Sequence, residues 1–260
     1  MYEARTYQQL VREDDLVITR VIAKETELFI KACVDLEEEA LTSLLKYRKS
    51  IEDYIKQDPL FETALSPYTV NDDAPEIVKE MALQASKVNV GPMASVAGAV
   101  AEYVGRDLIK FSDELIIENG GDVYMSSKKT RNICIFAGES IFSEDIKIKI
   151  ESQRMPIGVC TSSGLVGHSM SFGAADAVTV LSKSAVFADA AATAIANMVE
   201  TEKDVENVLS FSKKIHNLKG VIIIKNNTLG AWGNFQIEEG RGEIECQKSG
   251  YEKMNQLIKR

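Results

Sequence analysis

Apolar and polar residues alternate through Leu16-Val17-Ile18-Thr19-Arg20-Val21-Ile22-Ala23 and Glu27-Leu28-Phe29-Ile30, which predicts a strand pair or triple over 2–13 and 15–34. From Asp35 the spacing changes to the helical period. Leu41, Leu44, Leu45, Tyr47 and Ile51 fall on one face, so an amphipathic helix is expected with Asp35 as N-cap, ending before Pro59. The stretch 59–75, with three prolines and Asn71-Asp72-Asp73, reads as irregular. Helices follow at 75–87 and 92–110, the second opening on Pro92, whose missing N–H costs nothing in a first turn.

Beyond Phe111 the period shortens to that of strands. Asn119-Gly120-Gly121 between Leu115-Ile116-Ile117-Glu118 and Asp122-Val123-Tyr124-Met125 is a strong hairpin signal, because such turns need positive φ. Further strands are predicted at 132–137, 146–150, 157–161 and 177–181, helices at 185–199 and 202–216, a buried strand at 220–224 and a shorter one at 233–238. This order predicts an α/β chain of mixed α+β type. No Pro-, Gly- or Ser-rich stretch interrupts it, so 1–260 reads as one domain, with 1–58 as an N-terminal strand-plus-helix elaboration.

Charge narrows the partners. Thirty basic against 39 acidic side chains leave −9, which argues against nucleic acid, since replacing phosphate counterions needs clustered Lys and Arg. There is no long apolar run and the opening Met1-Tyr2-Glu3-Ala4-Arg5 is charged, so neither a membrane span nor a secretory leader is expected and the predicted location is cytoplasmic. Cys33, Cys134, Cys160 and Cys246 make no C-x-x-C, and His168 and His216 are the only imidazoles, which leaves no zinc-finger spacing and no disulfide framework.

Four segments carry candidate chemistry, each with an ordinary structural reading beside it. Gly91-Pro92-Met93-Ala94-Ser95-Val96-Ala97-Gly98 is a helix start crowded with small residues, suited to a phosphate or to close helix packing. Asn119-Gly120-Gly121-Asp122 is a tight turn that would also let a ligand lie on the backbone. Cys160-Thr161-Ser162-Ser163-Gly164 through His168 follows a strand, where hydroxyls and amides suit phosphate or ribose oxygens. A Cys160/His168 nucleophile pair is weighed against a buried structural thiol. Asp189 and Thr193 stand at i and i+4, a carboxylate and a hydroxyl on one helix face that suit Mg²⁺, against a plain dipole-complementing charge. Trp232 reads as a core or interface anchor, and His216 as a helix-end charge.

In this order the segments resemble the ApbE superfamily of flavin-handling proteins, more closely its cytoplasmic ApbE-like branch. The carriers are Val88 to Gly98, Glu118 to Asp122, Gly158 to Gly164, Gly167-His168-Ser169 and Phe187 to Ala194. The resemblance implies an ApbE-like fold with mixed sheets packed against helices. It maps Asp189, Thr193 and the Ala94 carbonyl onto a Mg²⁺ site, Gly120 and Gly121 onto a flavin-proximal turn, and Ser162, Ser163 and Gly164 onto a phosphate-side loop; the adjoining Asn119, Asp122 and Thr161 are expected to bind the cofactor with them. The transferases of that superfamily move FMN from FAD to a protein threonine. This chain has Ser95 where they carry lysine, Glu102 as the nearest counterpart of a nearby aspartate, and Met170-Ser171-Phe172-Gly173 where they carry Asp-Pro-Arg-Thr-Gly.

The expected function is binding of a phosphorylated, nucleotide- or flavin-like small molecule (FAD or FMN), with Mg²⁺. As a transferase the chain would use Asp189 to place the metal and His168 as acid or base. The alternatives are a sulfur-assimilation factor for homocysteine biosynthesis that uses Cys160, which the resemblance suggests, and a non-catalytic binding or assembly protein. A homo-oligomer is expected.

Overall fold

The computed structural model describes residues 15–135, 137, 140, 142, 146–163 and 174–239. The strand expected over 2–13, together with Gly164 and His168, lies outside them. The N-terminal alternation forms β1 (Val17–Ala23) and β2 (Thr26–Ala32), and the helical stretch forms α1 (Glu37–Gln57). Next come α2 (Leu60–Thr63), α3 (Glu76–Ser86), and a 3-10 turn over Pro92–Ser95 that runs into α4 (Val96–Leu108). The strand-rich half supplies β3 (Leu115–Asn119), β4 (Asp122–Ser126), β5 (Arg131–Cys134), β6 (Ile146–Ile150), β7 (Ile157–Ser162) and β8 (Ala177–Ser182). The chain continues through α5 (Ala185–Ala196), α6 (Asp204–Ser212), β9 (Leu218–Lys225), β10 (Thr228–Gly233) and β11 (Gln236–Glu239).

Some expectations are revised in detail. Leu36, not Asp35, is the N-cap of α1, although Asp35 Oδ1 still accepts from Glu37 N at 3.2 Å and from Thr19 Oγ1 at 2.7 Å, tying the helix start to β1. Leu41 and Leu45 face solvent, and the buried face runs through Ala40, Leu44, Ile51 and Tyr54. The irregular 59–75 stretch contains α2. The strand expected at 233–238 is divided: β10 ends at Gly233, whose φ of 139° breaks the strand, and β11 starts at Gln236 and joins the other sheet.

Two sheets result among the described residues, and every described pairing is antiparallel. Eight strands run β1-β2-β3-β4-β7-β8-β9-β10, and three run β11-β6-β5. The architecture is mixed α/β. The alternation of side chains across each strand divides the interior into two cores. On one face of the large sheet, Leu28, Ile30, Leu115, Ile117, Tyr124, Val178, Val180, Val221 and Ile223 pack against the helices. On the other, Val123, Met125, Ile157, Val159, Leu181, Ile222 and Ile224 meet Ile146, Ile148 and Ile150 of the small sheet. Each large side chain buried this way contributes about 1.5–3 kcal/mol.

Helix α5 is central. All of its residues except Ala194 are buried, and apart from Asp189 and Thr193 it is apolar all round, as a helix enclosed by a sheet and other helices must be. Its alanines permit close approach. A Cβ at Gly98 of α4 would lie 2.3 Å from the Ala185 carbonyl oxygen and 2.8 Å from Asp189 Cβ, so only glycine fits where the two helices touch. No described helix is long and apolar enough to cross a membrane.

Candidate functional site

The β3–β4 turn is the first part of the site to be fixed. Gly120 and Gly121 have φ of 67° and 104°, the left-handed pair that a two-residue hairpin requires, and Asn119 pairs with Asp122 across it. Both flanking side chains are buried, Asn119 against the start of α4 and Asp122 against β7. Asn119 Nδ2 donates to the Ala97 carbonyl at 3.0 Å, and Asp122 Oδ1 accepts from Thr161 N of β7 at 3.2 Å.

From the helix side comes Asp189, whose Oδ2 accepts from Gly98 N at 2.8 Å, with Ala97 N–H adding a second favourable contact. These are amides that a helix leaves unpaired at its N-terminus. Of the two readings of this helix start, a phosphate site or close helix packing, Gly98 fits the packing, and the Ala97 and Gly98 donors are engaged by the chain's own carboxylate. Ser95 is fully buried and donates to the Pro92 carbonyl at 2.7 Å.

Glu102, four residues further along α4, returns the favour. Its Oε2 accepts from Val186 N at 3.1 Å and from Ser184 Oγ at 3.0 Å, and its Oε1 accepts from Arg106 at 2.6 Å. Ser184 Oγ in turn accepts from Phe187 N at 3.3 Å as the N-cap of α5. Sequence reasoning did not anticipate this exchange of caps. The one available signal was that Glu102 is the sole charged residue between Val96 and Gly105.

Two carboxylates thus share a buried seam. Burial raises Asp122 well above the ordinary carboxylate range and the charge of Asp189 raises it further, while the Cys160 thiol and Thr161 N–H oppose the rise. Burial raises Asp189 to about 7, against the pull of the Gly98 and Ala97 amides. Cys160 lies beside them, fully buried, with its Sγ 3.4 Å from the Ala185 carbonyl. Burial, then the charges of Asp122 and Asp189, push its thiol well above the usual range. That is the setting of an inert thiol rather than a nucleophile, so the structure opposes the Cys160 half of the sulfur reading.

The phosphate-side residues divide by strand alternation. Thr161 turns its hydroxyl to the opposite face of the sheet, where it meets Thr179 Oγ1 at 2.9 Å, and only its backbone N–H serves the seam. Ser162 lies on the same face as Cys160, buried, and its Oγ has no hydrogen-bond partner among the described residues. Ser163 is half-buried.

Thr193 is buried one turn beyond Asp189 on α5, and Ala94 packs against the cluster formed by Ala85, Val90 and Ala190. These three expected metal contacts thus flank the meeting of α5 with the 3-10 turn. Among the described residues no group of three or more His, Cys, Asp or Glu side chains could hold a metal. Trp232 is half-buried and its Nε1 donates to Ser212 Oγ at 2.7 Å, pinning α6 to β10.

A family model described as "AbpE bacteria" matches residues 8–216. The chain belongs to this ApbE-like family. Among curated relatives, a UPF0280 protein of Methanocaldococcus jannaschii is 41% identical over 222 residues, covering 82% of this chain and 89% of that one. A UPF0280 protein of Methanococcus vannielii is 40% identical over 227 residues, covering 84% and 91%. Among solved structures, an ApbE protein of Thermotoga maritima superposes with a TM-score of 0.53 at 14% identity, covering 87% of this chain and 97% of that one. The apo flavinyl transferase ApbE of Pseudomonas stutzeri gives 0.50 at 12% identity, covering 92% and 96%. At such identities the likeness is one of fold, so the site of this ApbE-like chain is argued from its own residues.

Proposed function

We propose that this ApbE-like chain binds a flavin- or nucleotide-like phosphate compound together with Mg²⁺ at the seam between the β3–β4 turn, the end of β7 and α5. The observation that carries the reading is Ser162 Oγ, a buried hydroxyl without a partner among the described residues, on the sheet face that carries Asp122 and packs against α5 with its Asp189. A buried polar atom left unpaired costs about 1–3 kcal/mol, and a ligand oxygen arriving there would recover that cost.

The donor set suits the metal. Magnesium takes oxygen ligands and is usually held by one or two carboxylates plus substrate phosphates, not by an all-protein cage. Asp189 would supply the carboxylate, which keeps acceptor capacity beyond its amide contacts; Thr193 would supply a hydroxyl and Ala94 a carbonyl. The ion would neutralise phosphate charge and offset the repulsion between Asp122 and Asp189. Asn119 and the Gly120-Gly121 backbone would orient the flat part of the ligand.

Two further observations favour binding without flavin transfer. Ser95 turns its hydroxyl back onto the Pro92 carbonyl, so no cation stands at the position of the transferase lysine. Helix α4 has its first amides capped internally.

Thermal shift of the purified chain against FAD, FMN, ADP and ATP, each with and without Mg²⁺, tests the reading. At about 100 times its dissociation constant a ligand adds about 2.7 kcal/mol. A Mg²⁺-dependent rise with FAD or FMN is expected; a flat response across the panel would overturn it.

A further inference from the structure

The chain's charge is distributed unevenly around α5. On the side away from Asp189, a recess of about 370 Å³ is lined by Lys87, Phe187, Lys214, Ile215, His216 and Asn217. Phe187 and Asp189 are two residues apart on one helix, and so point about 200° apart around its axis. In a chain carrying −9, the ionisable side chains lining this recess among the described residues are all basic. They come from two separate elements: Lys87 caps the C-terminus of α3, and Lys214 and His216 follow α6 on the way into β9.

Basic residues at helix C-terminal ends complement the dipole, and that accounts for each position singly. It does not account for two such ends converging on one concavity. Lys87 Nζ stands 5.9 Å from the Phe187 ring centroid and donates to Gln84 Oε1 at 2.6 Å, so its ammonium is held over the apolar wall. Asn217, in a left-handed conformation with φ of 72°, turns the chain at the rim. The wall is therefore apolar at Phe187 and Ile215 and ringed by N–H donors. Its volume lies within the range of about 300–1,000 Å³ usual for small-molecule sites.

We infer that this recess is a second ligand site, one for the phosphate group of a small phosphorylated compound, held by Lys87, Lys214 and His216 without a metal ion. Lysine ammonium groups bind phosphate as point charges, and an imidazole adds a directed donor. The site is independent of the Mg²⁺-dependent seam on the other side of α5.

Inorganic pyrophosphate, titrated calorimetrically into the full chain in EDTA at fixed ionic strength, is the probe. Saturable binding is expected. Lys87→Ala combined with Lys214→Ala should weaken it at least about tenfold, the factor that corresponds to about 1.4 kcal/mol. Lys213→Ala combined with Lys219→Ala removes the same charge from exposed positions outside the recess and should leave binding within about twofold. Asp189→Asn should likewise leave it unchanged. Absence of saturable binding, equal weakening by the two lysine pairs, or loss of binding in Asp189→Asn would each overturn the assignment; retention in Asp189→Asn also separates this site from the seam.

Discussion

Asp189 and Glu102 exchange helix caps: Asp189 of α5 accepts the Gly98 amide at the start of α4, and Glu102 of α4 accepts the Val186 amide at the start of α5. Each carboxylate meets the positive end of the other's helix, the most favourable place for a negative charge on a helix. Asp189 therefore has a structural duty as well as the metal role proposed for it. Asp189→Ala should cost about 1–3 kcal/mol, because it removes the acceptor and leaves buried amides unpaired. Asp189→Asn keeps an acceptor oxygen and should cost less, while abolishing any Mg²⁺-dependent thermal shift. Urea unfolding of both variants, with and without Mg²⁺, separates the two duties. An Asn variant that keeps the metal response would remove Asp189 from the proposed site.

Ser162→Ala has an unusual sign. Deleting a buried hydroxyl that has no partner among the described residues should raise the stability of the ligand-free chain by about 1 kcal/mol rather than lower it. The same change should reduce the thermal shift produced by FAD or FMN with Mg²⁺. A variant less stable than the parent would show that the hydroxyl is already satisfied, and the observation carrying the functional reading would fall.

The raised carboxylates make a pH prediction. An unfolded aspartate titrates near 3.9, whereas Asp189 is raised to about 7 and Asp122 lies well above the ordinary range. Between these values the folded chain holds protons that the unfolded chain has released. Their stabilisation is full below about pH 4 and is lost as pH rises toward 7 and beyond. Asp122→Asn removes one of the titrating groups, so its urea midpoint should fall less than the parent's between pH 5 and pH 8. A parent that gains stability relative to this variant over that window would contradict the assignment.

Thiol labelling tests the inert reading of Cys160. Cys33 is exposed and Cys160 is buried. Iodoacetamide should modify Cys33 in the native chain and leave Cys160 unmodified until urea is added, as read by peptide mass spectrometry. Fast native labelling of Cys160 would return the sulfur-handling alternative.

Much of this was legible because local rules coincide with the fold. The Asn119-Gly120-Gly121 turn and the β-branched runs that became β7, β8 and β9 each satisfy a period and a turn chemistry at once. Failures occur where tertiary context decides. Leu45 fits the periodicity of α1 yet faces solvent, since the helix meets the core along Ala40, Leu44 and Ile51. At the site, sequence grouped Thr161 with Ser162 as neighbours, and strand alternation sends their hydroxyls to opposite faces. The glutamate cap was hidden for a different reason: the separation from Glu102 to Val186 is not a local spacing, and nothing in a single chain's residues pairs them.

The connectivity of the two sheets has a consequence for the order of assembly. In the large sheet each strand pairs with its neighbour in the chain except where β4 passes to β7, so it can grow as the chain emerges. The small sheet cannot, because its third strand pairs Ile237 with Ile148, across nearly the whole second half of the fold. Contacts so distant in sequence form slowly. The β5–β6 hairpin must wait with one edge open until β11 arrives, so a newly made chain is most exposed to mispairing just before its last described strand is released.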